Sequence, residues 1–459
     1  MDSEPKRNYS LPDQILLQPI VAARSSFYYV ALFLLGGTTF GFIAYLVQLR
    51  RGLGVTGLNI PLYWGVYITN FVFFIGISHA GTLISAILRL CEAEWRRSIT
   101  RAAEVITVLV LFFGVGSIIM DLGRPDRLFN VLLHPNFRSP LLWDVCSISV
   151  YLTGSTIYLY LPLIPDLAIL RDHGGKYVWF YRLLALGWRG TERQKHLLHR
   201  AISIMAVLVI PIAVSVHTVV SWVFGMTVQP MWHSTIFGPY FVVGAIFSGI
   251  ASIIIAMALI RRIYGLQNYL KPIHFNNLGL LLLVMALLWF YFTFAEYLTT
   301  FYGGDPSHLV VFYSKLTGRF APLFWTMFLT CFVIPVPLLA WSRTRTVAGT
   351  VIASISINIG MWLERYTIVV PTLSRPRLPW AEGLYTPTWV EAGITLGFGA
   401  TFLFLYMLFT RFFPIVSIWE VWEGRERAVP DVVARIESYM PAEIPETETE
   451  DLYLQTKEK

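Results

Sequence analysis

Met120-Asp121-Leu122-Gly123-Arg124-Pro125-Asp126-Arg127-Leu128-Phe129, continued by Ser139-Pro140-Leu141-Leu142-Trp143-Asp144, is the stretch from which the architecture can be read. With Arg138 just before its second part, it places six charged residues between two long apolar runs, with Asp121 closing the first run and Asp144 opening the next. A carboxylate at the edge of hydrocarbon is costly, so both are functional candidates by default. Arg127 and Arg138 read more simply as wetted loop residues outside the lipid.

Outward from this stretch the same alternation repeats. The chain is 56% hydrophobic and only 14% charged, with a mean hydropathy of +0.60. A soluble domain carries roughly a quarter charged residues, and here the deficit runs along the whole length. Ten runs are long enough to cross a bilayer: 27–49, 61–90, 102–122, 141–163, 201–225, 236–262, 278–302, 320–342, 346–371 and 388–413. The expected fold class is therefore all-α, a polytopic membrane protein of about ten transmembrane helices. Pro5, Pro12 and Pro19 break the first 24 residues, so no cleavable signal is expected and the first helix would be retained.

Lys and Arg divide unequally between alternate connections. One side holds Lys6, Arg7, Arg24, Arg96, Arg97, Arg101, the 171–200 loop, Arg261, Arg262, Lys271, Arg343 and Arg345. The other holds fewer, among them Arg50, Arg51, Arg124, Arg127, Arg138, Lys315, Arg319, Arg375 and Arg377. The heavier side is expected to be cytoplasmic, which puts both termini inside and turns the Asp121–Asp144 stretch outward. No basic stripe with interleaved aromatics suggests nucleic-acid binding despite the net charge of +7.

Helices two to five superpose on six to nine as two parallel four-helix repeats with flanking helices. Asp121 lies about 19 residues into its run and Glu296 about 18; His217 lies about 16 and Glu364 about 17. The expected organisation is an N-terminal interfacial segment 1–26, a first helix and loop 27–60, a bundle 61–225, a second bundle 226–371, a last helix 372–413, and a cytoplasmic tail 414–459.

The intramembrane ionisable set is His79, Asp121, Asp144, His217, Glu296, Glu364 and Arg365. Any one of them alone is equally well a structural hydrogen-bonding group; together they suggest a proton route with a redox or transport site at one end. Glu364 and Arg365 are neighbours on one helix and are expected to face different partners. Counted from the run ends, His79 and His217 differ in depth by roughly 10–15 Å, which argues against one haem between them. Cys91, Cys146 and Cys331 are scattered, with no C-x-x-C-H and no cluster-binding spacing, so no haem, iron–sulfur or other metal site is expected in this chain. Most of the aromatic residues at helix ends, such as Trp143, Trp179 and Trp389, read as an interfacial belt.

Five segments carry a family resemblance. They are Gly76-Ile77-Ser78-His79-Ala80-Gly81-Thr82-Leu83-Ile84-Ser85-Ala86, Asp121-Leu122-Gly123-Arg124-Pro125, Ser139 to Asp144, Trp232 to Phe237 with Pro239-Tyr240-Phe241, and Asn358 to Arg365 with Val369-Val370-Pro371-Thr372. In these the chain resembles the NrfD / polysulfide-reductase membrane-subunit family, and within it the ActC subunits of alternative complex III. The resemblance implies a quinol-oxidising membrane subunit of a respiratory or photosynthetic complex in the bacterial inner membrane. Its substrate would be menaquinol, bound near the outer face. Its implied partners are an iron–sulfur subunit, multihaem c-type cytochrome subunits, a second NrfD-like membrane subunit and lipids. On that basis His79, Asp121 and Asp144 are the expected catalytic residues, with Arg124 completing the quinol site. His217, Glu296, Glu364 and Arg365 are the expected proton-transfer residues. Competing expectations are a purely structural anchor for redox subunits, or a secondary transporter, which would carry broken helices at equivalent positions of both halves.

Overall fold

The computed structural model describes residues 25–91, 93–174, 177–227, 229–375 and 383–424, together with Leu16 and Ile20. The interfacial segment expected at 1–26 and the tail beyond residue 424 lie almost wholly outside these. Among the described residues there are no strands, and ten helices are long and apolar enough to cross a membrane. They are α1 (Ser25–Arg51), α2 (Val66–Leu90), α3 (Thr100–Leu122), α4 (Pro140–His173), α5 (Glu192–Gly225), α6 (Phe237–Ile263), α7 (Pro272–Gly303), α8 (Ala321–Ala340), α9 (Val347–Ser374) and α10 (Trp389–Phe412). The protein is a multi-pass, all-α membrane protein. In hydrocarbon every backbone amide must find its partner within the element, and helices satisfy this.

Successive crossings sort the connections onto two faces. The loop face carries α1–α2, α3–α4, α5–α6, α7–α8 and α9–α10. The terminal face carries the other connections, the start of α1 and the end of α10.

α2 is the axis of the molecule, packing on α3, α5, α6 and α9. The pairs α2–α3, α3–α4, α4–α5 and α2–α5 are matched by α6–α7, α7–α8, α8–α9 and α6–α9. Between the two sets α2 meets α6, and the crossed pairs α2–α9 and α5–α6 match each other as well. α1 and α10 pack on one another at the side, against α2 and α3. Their approach depends on Gly41 and Gly397: a Cβ at Gly41 would stand 2.5 Å from the Gly397 Cα.

Local chemistry sets the helix ends. α5 starts with a capping box in which Thr191 and Gln194 satisfy each other's backbone amides. α3 ends at Gly123, which adopts the left-handed conformation at φ 64°. α8 is interrupted by a π turn, Leu329–Val333, where the Ile334 amide reaches back to the Leu329 carbonyl at 3.0 Å just ahead of Pro335. Its counterpart α4 stays helical through Pro162 and Pro165, so this pair is not broken in the matched way a transporter would show.

After α10 the chain does not leave the bundle at once. Ile415, Val416, Ser417, Ile418 and Glu420 are buried against the terminal-face ends of α2–α4.

Candidate functional site

α2 contributes a buried polar stripe, Ser78, His79, Thr82 and Ser85, to the middle of the first set of helices. His79 meets His217 of α5: both are fully buried and their ring centroids are 3.8 Å apart, inclined at 62°. The Tyr151 ring of α4 lies 5.5 Å from His79, and its hydroxyl donates to the Ser78 carbonyl at 2.9 Å. This corrects the depth mismatch expected for the two histidines. The run counted from residue 61 becomes helical only at Val66, after the non-helical stretch ending at Gly65, so His79 lies closer to its helix end than counted. No ring nitrogen of either histidine has an aligned hydrogen bond. The Ala213 backbone of α5 lies beside the His79 ring.

α4 places Asp144, Tyr151, Ser155 and Tyr158 on one face, at spacings of seven, four and three residues. Asp144 is buried near the loop face, with Oδ1 unpartnered. Below Tyr151 polar groups continue towards the terminal face. Thr107 of α3 donates to the Ser78 carbonyl at 2.7 Å, Thr82 reaches Ser155 at 3.4 Å, and Ser85 joins Glu104 at 2.6 Å and Tyr158 at 3.3 Å.

The line ends in a dense ion-pair cluster that sequence reasoning missed. Arg101 pairs with Asp166 at 3.0 Å and donates to the Pro162 carbonyl at 2.9 Å. Arg89 and Arg96 reach Glu420, and Arg97 donates to the Glu420 carbonyl at 2.8 Å. Burial pushes the Glu420 carboxyl up, but the four arginines outweigh it and hold it below the usual carboxylate range.

Asp121 belongs elsewhere. It lies near Tyr67 of α2 and Glu391 of α10, with Oδ1 unpartnered. No hydrogen bond or ion pair among the described residues joins it to His79 or Asp144. Tyr67 donates to Gln48 at 2.5 Å, Gln48 donates to the Met120 carbonyl at 2.7 Å, and Glu391 accepts from the Tyr385 hydroxyl and from the Gly57 and Thr388 amides. Glu391 escapes the sequence reading because it resembles an ordinary first-turn acid in a Thr388 capping box. Arg124, expected to complete the quinol site, is exposed and forms a two-pronged pair with Asp126 at 3.0 and 3.1 Å.

The second set of helices holds its own cluster. Glu296 and Glu364 line a small cavity with Tyr240, Thr293, Tyr297 and Lys315. Lys315 arrives from a short helix, Pro306–Leu316, outside the membrane spans. Burial pushes its ammonium down to about 8, against the opposing pull of Glu296 and Glu364. Counting Lys315 as a loop cation conceals this role.

Glu364 and Arg365 also depart from expectation. Their side chains approach to 2.9 Å although the residues are adjacent on α9. The contact is close but not aligned as a hydrogen bond, so both keep unfilled capacity. Long side chains allow it, as does Gly244 of α6, where a Cβ would stand 2.5 Å from the Arg365 Nη2. The Arg365 guanidinium lies 4.9 Å from the centre of the Phe241 ring, and its charge is felt at His217. Arg365 thus joins the histidine pair to the Glu364 cavity. Trp232 closes the loop-face side, stacked at 5.9 Å on Trp64 and donating to the Ile368 carbonyl at 2.9 Å.

Buried ionisable groups set inside a bundle of membrane-spanning helices define the class: a multi-pass membrane protein with a polar interior. Residues 54–377 match the family model described as polysulphide reductase, NrfD, and the chain belongs to that family. It is 27% identical over 413 residues to a putative dimethyl sulfoxide reductase membrane subunit of Halobacterium salinarum, covering 85% of this chain and 90% of that protein. It is 22% identical over 418 residues to the Hdr-like menaquinol oxidoreductase integral membrane subunit of Archaeoglobus fulgidus, covering 86% and 93%. It is 22% identical over 436 residues to the menaquinone reductase integral membrane subunit of Nitratidesulfovibrio vulgaris, covering 89% and 97%. The protein is thus an integral membrane protein of the NrfD family, and these relatives are named as membrane subunits of oxidoreductases.

Proposed function

We propose that this chain is the quinol-oxidising membrane subunit of a complex of the alternative complex III type. In this account the loop face is the outer face of a bacterial inner membrane and both termini are cytoplasmic. α2–α5 form the substrate bundle (61–225) and α6–α9 a second one (226–371). Menaquinol enters near the outer end of the first bundle. It loses two protons and two electrons to become menaquinone. The electrons pass outward to a peripheral iron–sulfur subunit and on to multihaem c-type cytochrome subunits, with a second NrfD-like subunit and lipids alongside.

The observation that carries this proposal is the buried His79–His217 ring contact, with Tyr151 and the buried Asp144 on the same bundle. Two hydroxyl protons need two acceptors within reach, and His79 and Asp144 are assigned that role. Asp121 and Glu391, nearer the loop face, are assigned the release of a proton to the outer surface, and Arg124 with Asp126 the rim of the entrance. His217, Arg365, Glu364 and Glu296 form the second route, by which the complex would translocate protons.

Quinol:acceptor turnover in complexes that assemble normally tests the assignment. His79→Ala and Asp144→Asn are expected to fall about 100-fold or more. Wild-type rates in both would leave the chain as a structural anchor.

A further inference from the structure

We propose that His233 and His308 form a binding site for a divalent transition-metal cation of the zinc, copper or nickel type, strapping the α5–α6 connection to the Pro306–Leu316 helix. The Nε2 atoms face each other at 3.1 Å, with ring centroids 4.7 Å apart and planes inclined at 77°. Imidazole nitrogens bind zinc at about 2.0–2.1 Å, so two of them on a tetrahedral centre stand about 3.3 Å apart. The pair is within a few tenths of an ångström of that spacing. His233 is also oriented as a ligand: its Nδ1 is 3.0 Å from the Gln229 carbonyl. Donation there leaves the Nε2 lone pair directed at His308, the outer-shell arrangement usual for a metal-bound imidazole. His233 is exposed and His308 half-buried, so a cation reaches the pair from solution.

Among the described residues no third His, Cys, Asp or Glu completes a group of three, and the proposal needs only the two imidazoles as protein ligands. Imidazole donors select zinc, copper and nickel over magnesium or calcium. The position gives the site a consequence. Met231 and Trp232, just before His233, line the Glu296–Lys315 cavity, and the next residue, Ser234, lies beside Glu296. A cation shared by His233 and His308 fixes this connection over the cavity.

The site stands apart from the quinol assignment, and its test uses no turnover assay. The purified complex, stripped with chelator, is titrated with Cu2+ and followed by electron paramagnetic resonance. The expected signal saturates at one equivalent with hyperfine splitting from two nitrogens. His233→Gln and His308→Gln are each expected to weaken that component about tenfold or more. Zn2+ is expected to slow amide exchange in residues 229–236 of the wild type but not of His308→Gln. Equal Cu2+ affinity in wild type and both variants would overturn the site, and unchanged exchange at saturating Zn2+ would overturn the strap.

Discussion

The two ends of the first bundle treat buried charge in opposite ways. At the terminal face Arg101, Asp166 and Glu420 are buried and Arg89 is half-buried, and each charge meets an opposite one although Arg89 Nε has no hydrogen-bond partner. Towards the loop face His79, His217, Asp144 and Asp121 keep nitrogens or oxygens with no hydrogen-bond partner. The contrast separates two uses of polarity inside a membrane. Matched charges hold the post-α10 segment and the helix ends in place. Unmatched ones carry a cost in stability, and in the proposed account they stay available to a substrate or a proton.

The comparison breaks first at Arg101. Arg101→Ala leaves Asp166 buried without its partner, and losing one member of such a pair costs about 3–5 kcal/mol. The expected result is poor assembly and a lower thermal midpoint by fluorescence-detected size exclusion. At the other end Asp144→Asn removes no ion pair, so assembly should stay near wild type while turnover falls. If Asp144→Asn destabilised the complex as strongly as Arg101→Ala, the distinction between the ends would collapse.

A smaller effect is expected at the junction of the two routes. Gly244→Ala drives a methyl into the Arg365 guanidinium, an overpacking cost of about 1–3 kcal/mol. It should displace Arg365 from Glu364 and from the Phe241 face, read as a modest loss of thermal stability.

The smallest effect sharpens the account through pH. The Lys315 ammonium is held down to about 8 from 10.5. Between those values the unfolded chain binds more protons at this group than the folded one, so its contribution to stability rises with pH from about 8 to about 10.5. Thermal midpoints of wild type and Lys315→Met across that window should differ less at the alkaline end. A difference independent of pH would mean that Lys315 is not a desolvated amine.

The ten spans are legible because each crossing must present about 20 apolar residues, and that requirement leaves little room for alternatives. The family is legible from short segments such as Ser139 to Asp144, and the family match covers 54–377. Tertiary pairing is less accessible. A depth count separates His79 from His217 because it takes apolar residues 61–65 as helix. Arg101 and Lys315 pass for loop cations, since a charge at a run's edge looks the same in sequence whether it faces water or folds inward. Glu391 resembles a routine cap. Helix geometry alone assigns Glu364 and Arg365 to different faces, and it takes no account of side-chain length or of the space left by Gly244 on a neighbouring helix.

The central claim is that quinol chemistry takes place beside the unmatched histidine pair. Photolabelling of the intact complex with an azidoquinone, mapped by mass spectrometry, tests it most directly. The account predicts label in α2 (Val66–Leu90) or α4 (Pro140–His173), displaced by menaquinol and reduced in His79→Ala. Label confined to α6–α9 and unaffected by His79→Ala would contradict it.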